Sequence, residues 1–415
     1  MLYDQLRRLV AILESFFVRW GVRFSLLRGL LGCFIRRVHG IPVFAIQGAL
    51  ENGEGLTTLF VGSEQSAYRF AGLAYSEIGK MGMLGKVCSW QVDRLNMAAA
   101  DIAVVGAKGL STHRALKTKC LYLPNVSFAL DLRRSDDELS RRMSRRRRRD
   151  VKKLKRLGYR YSISQNRSED FDFFYTRMYV PYVRRRFSKA ALVAPYHVSR
   201  TLYGKNGGII FVKKRKRVVA GILFQTKRDV LYAMLFGVYE GEEEFVKNLA
   251  GTAALRFLIQ WAQENNMRGL DYGRTMPFFK DGIFRYKQEW GMHVKVHADQ
   301  PFCALRLNPH SETALSFLAQ NPCVVYQAGS MTGLVAVDHQ LGEREFHKIC
   351  SEYFVPGLES LTIVCRTSDS NLLRACIRRT DELQLDKGAE STLSACLPLK
   401  QPGHLFCIHR LKSTR

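Results

Sequence analysis

The runs GIIFV (208–212), KKRKR (213–217), VVAGILFQ (218–225) and VLYAMLFGV (230–238) decide the fold. Three apolar stretches rich in β-branched and aromatic residues, separated by short charged turns, predict three adjacent strands of an antiparallel meander. Phe245, Leu249, Ala253, Phe257 and Trp261 follow at four-residue spacing, which predicts a long helix over 245–265. A short strand at 269–272 (GLDY), a short helix near 281–289 and strands at 292–297 and 302–307 complete the unit.

Upstream, IPVFAIQ (41–47), LTTLFV (56–61), DIAVV (101–105) and VSFALDL (126–132) read as strands, with a helix-like run at 64–78. Residues 135–157 read as a very basic helix ending near Gly158. A second helix is expected over 169–187, carrying Phe171, Phe174, Tyr175, Met178 and Tyr182 and distorted by Pro181. Downstream, strands are expected near 323–327, 333–337 and 360–364 and helices near 311–320 and 343–353, with 384–404 loop-rich. The whole reads as α/β (α+β) with a mixed, mostly antiparallel sheet.

The chain has 415 residues, and its apolar (47%) and charged (24%) fractions exclude disorder as the main state. Ten cysteines are too dilute for a disulfide scaffold, and none forms a CxxC pair or sits near a zinc-finger histidine pair. Scattered, reduced thiols point to a reducing compartment. The first twenty residues read as an amphipathic helix: Leu2, Leu6, Leu9, Leu13, Phe16, Phe17 and Trp20 oppose Asp4, Arg8, Ser15 and Arg19. It either lies on an anionic membrane surface or packs on its own domain. No run reaches the ~18 apolar residues of a membrane span. No small-residue cleavage site follows an apolar core, so no signal peptide is expected.

Lys and Arg number 64 against 37 Asp and Glu, a formal net charge of +27, which implies an acidic partner. The charge is uneven. Residues 133–160 hold 14 Lys/Arg against Asp136, Asp137, Glu138 and Asp150. On a helix the arginines 145–149 cover every face, so some must bind or be solvated. RNA phosphates, phosphorylated lipid-linked acceptors and plain solvation are the three readings.

Four stretches resemble the GNAT superfamily, in particular its FemAB-like and polysaccharide-associated acetyltransferase branch: SRRMSRRRRRDVKKLKRLGY (140–159), VVAGILF (218–224), AALRFLIQWAQENNMRGLDYGRT (253–275) and FFKDGIFRYKQEWG (278–291). They stand in that order within residues 140–307, the region that carries the resemblance. The resemblance implies a GNAT-like fold with splayed central strands and two lobes. With it the chain divides into a basic N-terminal helical segment (1–40), a first lobe (41–132), a transferase lobe (133–307) and a C-terminal α/β extension (308–415) for which the family offers no counterpart.

The resemblance also assigns residues. Asn248, Gly251, Thr252 and Ala253 stand where GNAT enzymes bind the pyrophosphate of coenzyme A through backbone N–H groups at a helix N-terminus, with Asn248 replacing the usual Gln or Arg. Packing by small residues is the alternative there. Asp271 would accept a proton from the attacking amine or bond to it, the alternative being an internal Asp271–Arg274 pair that fixes the loop. Arg274 would clamp an anionic substrate group, and Lys287 would stabilise charge at the reacting carbonyl, unless it is a solvated lysine on a helix face. Backbone amides of the strand 230–238 are further oxyanion candidates. The expected activity is N-acyl transfer, from acyl-CoA (acetyl-CoA among them) or aminoacyl-tRNA, to an amine or hydroxyl of a cell-envelope or exopolysaccharide precursor. No metal is expected, and the protein is placed in the cytoplasm, peripheral to the inner membrane face. The alternative is a catalytically degenerate module of the same fold that binds RNA or anionic membrane.

Overall fold

The structure is a computed structural model; it describes residues 40–88, 100–106, 120–204, 206–308, 310–327, 330–337, 343–365, 383–386 and 407–413. The amphipathic segment 2–20 and all but the first residues of 384–404 lie outside the described residues.

The chain opens with β1 (Ile41–Ala49), β2 (Gly55–Val61), α1 (Glu64–Ala74), β3 (Glu77–Val87), β4 (Ile102–Gly106) and β5 (Leu121–Asp131). Two basic helices, α2 (Asp136–Arg142) and α3 (Arg145–Arg156), lead into β6 (Tyr159–Ser164). α4 (Ser168–Phe174) passes through a π turn (Tyr175–Tyr179) into α5 (Val180–Phe187), and α6 (Tyr196–Gly204) follows. Then come the meander strands β7 (Gly207–Lys214), β8 (Arg217–Lys227) and β9 (Val230–Val238). α7 (Glu243–Lys247), α8 (Ala250–Glu264), β10 (Gly269–Thr275), α9 (Gly282–Glu289) and β11 (His293–Leu307) close the unit. All eleven strands belong to one sheet, ordered β3-β1-β2-β4-β11-β5-β10-β9-β8-β7-β6. α10 (Glu312–Gln320), β12 (Cys323–Gln327), β13 (Ser330–Ala336), α11 (Glu343–Tyr353), β14 (Ser360–Cys365), β15 (Leu383–Asp386) and β16 (Cys407–Ser413) add a second sheet, ordered β12-β13-β14-β16-β15. The second sheet meets the first through β12, which lies against β5 with Tyr326 edge-on to Tyr122 at 6.2 Å, while Val324 N–H donates to Pro277 O at 2.6 Å.

Local chemistry explains where elements begin and break. The basic stretch expected as one helix is two, because the Ser144 hydroxyl accepts from Arg147 N–H at 3.1 Å and caps a new helix, with Met143 extended before it. The distortion expected at Pro181 takes the form of the π turn just before it, where Val180 N–H donates five residues back to Tyr175 O. The long helix begins only at Ala250, since Leu249 adopts a left-handed φ of +69° that ends α7. Its buried residues are Ala250, Thr252, Ala253, Ala254, Leu255, Leu258, Ile259 and Ala262, and the four alanines let α8 lie close to β7 and β8. Phe257 and Trp261 sit at its margins, Phe257 stacked on Tyr161 at 5.0 Å and Trp261 tilted against Phe224 at 4.5 Å. The helix expected to reach residue 78 stops at Ala74, and the glycine-rich 77–87 forms edge strand β3.

Candidate active site

β9 and β10 run parallel and pair only at Val230–Gly269, Leu231–Leu270 and Tyr232–Asp271. Beyond that level β9 continues against β8, while β10 turns to β5. Both strands bulge where they part. On β9, Leu235 faces Leu223 and Ala233 faces Phe224, so Met234 is the extra residue. On β10, Asp271 faces Ala129 and Arg274 faces Ser127, so Tyr272 and Gly273 share one partner position. Bulges of this kind bend a strand and re-aim its neighbours. Among the described residues the β10-facing edge of residues 233–238 has no strand partner, and this unpaired edge between the two strands is termed the slot.

The slot's frame is built from buried charge. Lys287 on α9 is 2% exposed and donates to Gly273 O at 2.8 Å and Arg274 O at 3.1 Å, the carbonyls that the β10 bulge frees. Its ammonium also lies over Phe128 at 5.7 Å and Tyr272 at 5.6 Å. Burial pulls its pKa down to about 7, against the favourable fields of Asp271 and Asp281. The Asp271 carboxylate accepts from Gly273 N–H at 2.8 Å and pins the same turn from the other side. Gly273 has φ +72°, a left-handed conformation that a side chain would penalise. Asp281 caps α9, accepting from Ile283 N–H and Phe284 N–H, and receives the Thr275 hydroxyl at 2.8 Å, which ties the end of β10 to that helix.

Aromatic rings line the opening. Tyr182 of α5 meets Phe236 of β9 edge-on at 5.2 Å, and Tyr272 lies 6.4 Å from Tyr286 of α9. The π turn reaches β9 this closely because residue 237 is glycine: a Cβ there would sit 2.6 Å from the Met178 and Tyr179 backbone. Burial raises both slot phenols, Tyr286 to about 12 and Tyr272 well above its ordinary value, with Arg147 pulling each back. Both therefore stay protonated at neutral pH.

Gly251 faces the slot. A Cβ on it would lie 3.4 Å from the Phe236 ring, and its carbonyl accepts from the Tyr286 hydroxyl at 3.1 Å. The first turn of α8 has no side-chain cap, and Gly251 is half-buried. Thr252 and Ala253 are buried in the helix packing. Asn248 stands just before that turn, where its carbonyl accepts from Tyr159 OH at 2.6 Å. Arg274, at the strand end, is exposed, and its guanidinium makes no ion pair among the described residues. The structure thus gathers Asp271, Gly251 and Lys287 around one slot, with Asp271 and Lys287 holding backbone.

Arg147 is the residue that sequence reasoning left among its neighbours. It is 5% exposed. It donates to Thr252 Oγ1 at 2.8 Å and to Glu289 Oε2 at 2.5 Å, and its guanidinium lies over Tyr286 at 4.6 Å and Trp290 at 5.6 Å. It therefore binds α3, α8 and α9 together behind the slot. A sequence signal existed: Arg147, Val151 and Leu154 are spaced i, i+4, i+7, on the inward face of the helix.

Beside the mouth lies a cleft of about 620 Å³ lined by Arg69, Arg186, Phe187, Met276, Lys280 and Ile283 among others. Arg186 stands one turn beyond Tyr182 on α5, and Ile283 one turn before Tyr286 on α9, so two helices carry the slot's wall into the cleft. Burial pulls the Arg69 pKa down, opposed by Asp281.

An α/β architecture, mostly antiparallel, with a central parallel pair that splays beside a helix N-terminus, defines a GNAT-like fold. No protein-family model matches the sequence, and no curated protein does. Among solved structures the chain is similar to FemX (12% identity over 65% of this chain and 85% of that one, TM-score 0.35). It is also similar to L-PGS from Bacillus licheniformis (10% identity, 66% and 87% covered, TM-score 0.32) and to a GCN5-related N-acetyltransferase from Sphaerobacter thermophilus (12% identity, 62% and 79% covered, TM-score 0.31). No described helix is long and apolar enough to cross a membrane.

Proposed function

We propose that the protein is an acyltransferase that moves an acyl or aminoacyl group from an activated thioester or ester to an amine or hydroxyl acceptor. The observation that carries this reading is the parting of β9 from β10, which frees amides of residues 233–238 beside an aromatic-lined slot. Fixed backbone N–H groups in a water-poor site stabilise a carbonyl oxygen as it gains charge, with no reorganisation during the reaction. The acceptor's lone pair attacks the carbonyl carbon and forms a tetrahedral oxyanion. The carbon–sulfur or carbon–oxygen bond to the carrier then breaks, and the acceptor's proton ends on the departing thiolate or alkoxide. Tyr272 and Tyr286, protonated at neutral pH, offer O–H donors rather than a base.

Lys287 and Asp271 serve this reading by fixing the β10 bulge, and so the width of the slot. For a coenzyme A donor, the uncapped amides of Ala250, Gly251 and Thr252 would hold the pyrophosphate, and half-open Gly251 leaves room for it. The basic cleft would receive the acceptor, with Arg69, Arg186 and Lys280 suiting an anionic group. A cell-envelope acceptor at the inner membrane face is the form of this proposal that the sequence resemblance suggests.

The test is calorimetric titration with acetyl-CoA, longer acyl-CoAs and aminoacyl-tRNA, followed by donor turnover on the ligand that binds. Saturable binding with release of free carrier supports the reading. Absence of binding by every donor would sink it, and binding without carrier release would leave a degenerate module.

A further inference from the structure

The arginine run and the charged turn of the meander lie far apart in sequence, and the fold brings them to one edge of the sheet. β6 is the edge strand, and it pairs with β7 so that Arg160 faces Lys213 and Tyr159 faces Lys214. The C-terminal end of α3 therefore adjoins the turn that carries Arg215 and Lys216. Directly opposed like charges destabilise a strand pair. α3 carries the same conflict. Arg145 and Arg146 occupy its first turn, where the helix dipole favours acids, and Arg145–Arg149, Arg149–Lys153 and Lys152–Arg156 are like-charge pairs at i, i+4. Local choices that oppose stability mark places where another demand prevails.

The neighbouring carboxylates are turned to other tasks. Asp136 pairs with Arg256, Glu138 closes the capping box with Ser135, and Glu289 and Asp150 face buried Arg147. Asp137 is the carboxylate of this stretch with no such engagement among the described residues. Arg141, Arg142, Arg145, Arg149, Lys152, Lys153, Lys155 and Arg156 are exposed and make no ion pair among the described residues. A membrane-surface helix needs an apolar face to sink into the headgroup boundary. α3 has none to offer: Leu154 is buried and Val151 packs on the core, and no large exposed hydrophobic side chain lies on α2 or α3. What remains outward is a run of exposed cations, unpaired among the described residues, over two helices and a turn, with no large apolar side chain exposed among them, and a polyanionic backbone is the partner that neutralises such a run.

We propose that the outer face of α2 and α3, extended by Arg160 and the β7–β8 turn, docks the phosphate backbone of a nucleic acid. The contact neutralises cations that the fold otherwise sets against one another. It is independent of base sequence, because phosphates position a nucleic acid without specifying it.

The experiment is fluorescence anisotropy of the full chain with a labelled RNA hairpin, a DNA duplex of equal length, and phosphatidylglycerol vesicles, across a salt series. The test variant is Arg145→Gln/Arg149→Gln/Lys152→Gln/Arg156→Gln. The control is Lys227→Gln/Arg228→Asn, at the far end of β8 from the β7–β8 turn. The expected result is at least ~10-fold weaker nucleic-acid binding by the test variant, a log–log salt slope shallower by about one for each phosphate that is no longer neutralised, and wild-type binding by the control. Tighter binding to RNA than to duplex DNA, or the reverse, assigns the source of the backbone. The proposal is overturned if the wild type binds vesicles but neither nucleic acid, if it binds nothing, or if both variants weaken binding equally. Far-ultraviolet circular dichroism and the melting temperature of each variant establish that it is folded.

Discussion

Arg147 and Arg146 are adjacent residues, and the regions they belong to use charge in opposite ways. Behind the slot, the cations Arg147 and Lys287 are buried and held by specific partners, with the Arg147 Nε alone left unbonded among the polar atoms of these two side chains. Arg147 is held by Thr252, Glu289 and two aromatic faces, and Lys287 by two main-chain carbonyls. On the outer face of α3, cations are solvated, and Arg146 has only a distant contact to Glu289 at 4.0 Å. In water an ion pair is worth ~0–1 kcal/mol, whereas a buried charge that loses its partner costs several. Among the 64 basic residues of this chain, those that shape the slot are therefore the few from which water is excluded.

Removing Arg147 should break this contrast most severely. Arg147→Ala leaves Glu289 beside a void between Tyr286 and Trp290, and a loss of about 3–5 kcal/mol is expected from chemical denaturation. Arg146→Ala, one position away, should change stability by less than about 0.5 kcal/mol. Equal effects of the two substitutions would erase the distinction between inner and outer arginines.

Much of the frame was legible because alternation and apolar runs are local signals. The meander at 208–238 and the strand after the long helix read directly from β-branched runs between turns. β3 was hidden by its three glycines and by apolar residues that continue the helical spacing of α1. Its exposed Met83 and Leu84 give it no inward face to read. The break between α2 and α3 hung on one serine hydroxyl. The candidate site was legible in residue type more than in arrangement. GLDY and FRYKQEWG drew notice to Asp271 and Lys287, but the bulges that give those residues something to hold come from pairings between strands, β10 with the distant β5 among them. The aromatic wall of Tyr182, Phe236, Tyr272 and Tyr286 unites four elements, and no spacing within one stretch reveals it.

Lys287 sharpens the contrast through pH. Its folded pKa, near 7, lies below the ordinary lysine value of 10.5. Between those values the unfolded chain binds the proton and the folded chain does not, so this residue makes stability rise as pH climbs from about 7 toward 10.5 and lowers it below 7. At ~1.4 kcal/mol per unit the full span is on the order of 3–5 kcal/mol. Lys287→Met should flatten that rise in unfolding titrations at pH 6, 8 and 10. The variant should also lower kcat more than it raises KM once a donor is found, because the slot loses its width rather than its grip on substrate. An unchanged pH slope would mean that the ammonium stays charged throughout, stabilised by the Gly273 and Arg274 carbonyls.

The smallest effect expected is the most discriminating for Asp271. Its carboxylate accepts the Gly273 N–H, and an amide oxygen at the same place can accept that bond equally well. Asp271→Asn should therefore cost less than about 1 kcal/mol and keep most turnover, whereas Asp271→Ala frees the left-handed turn and lowers both. A residue that took the acceptor's proton would behave otherwise, since an amide has no basicity at neutral pH, and turnover would fall by ~10²–10⁴-fold in both variants. The ratio of the two variants thus separates an anchor of the β10 bulge from a base at the slot, and does so with the fold intact in at least one of them.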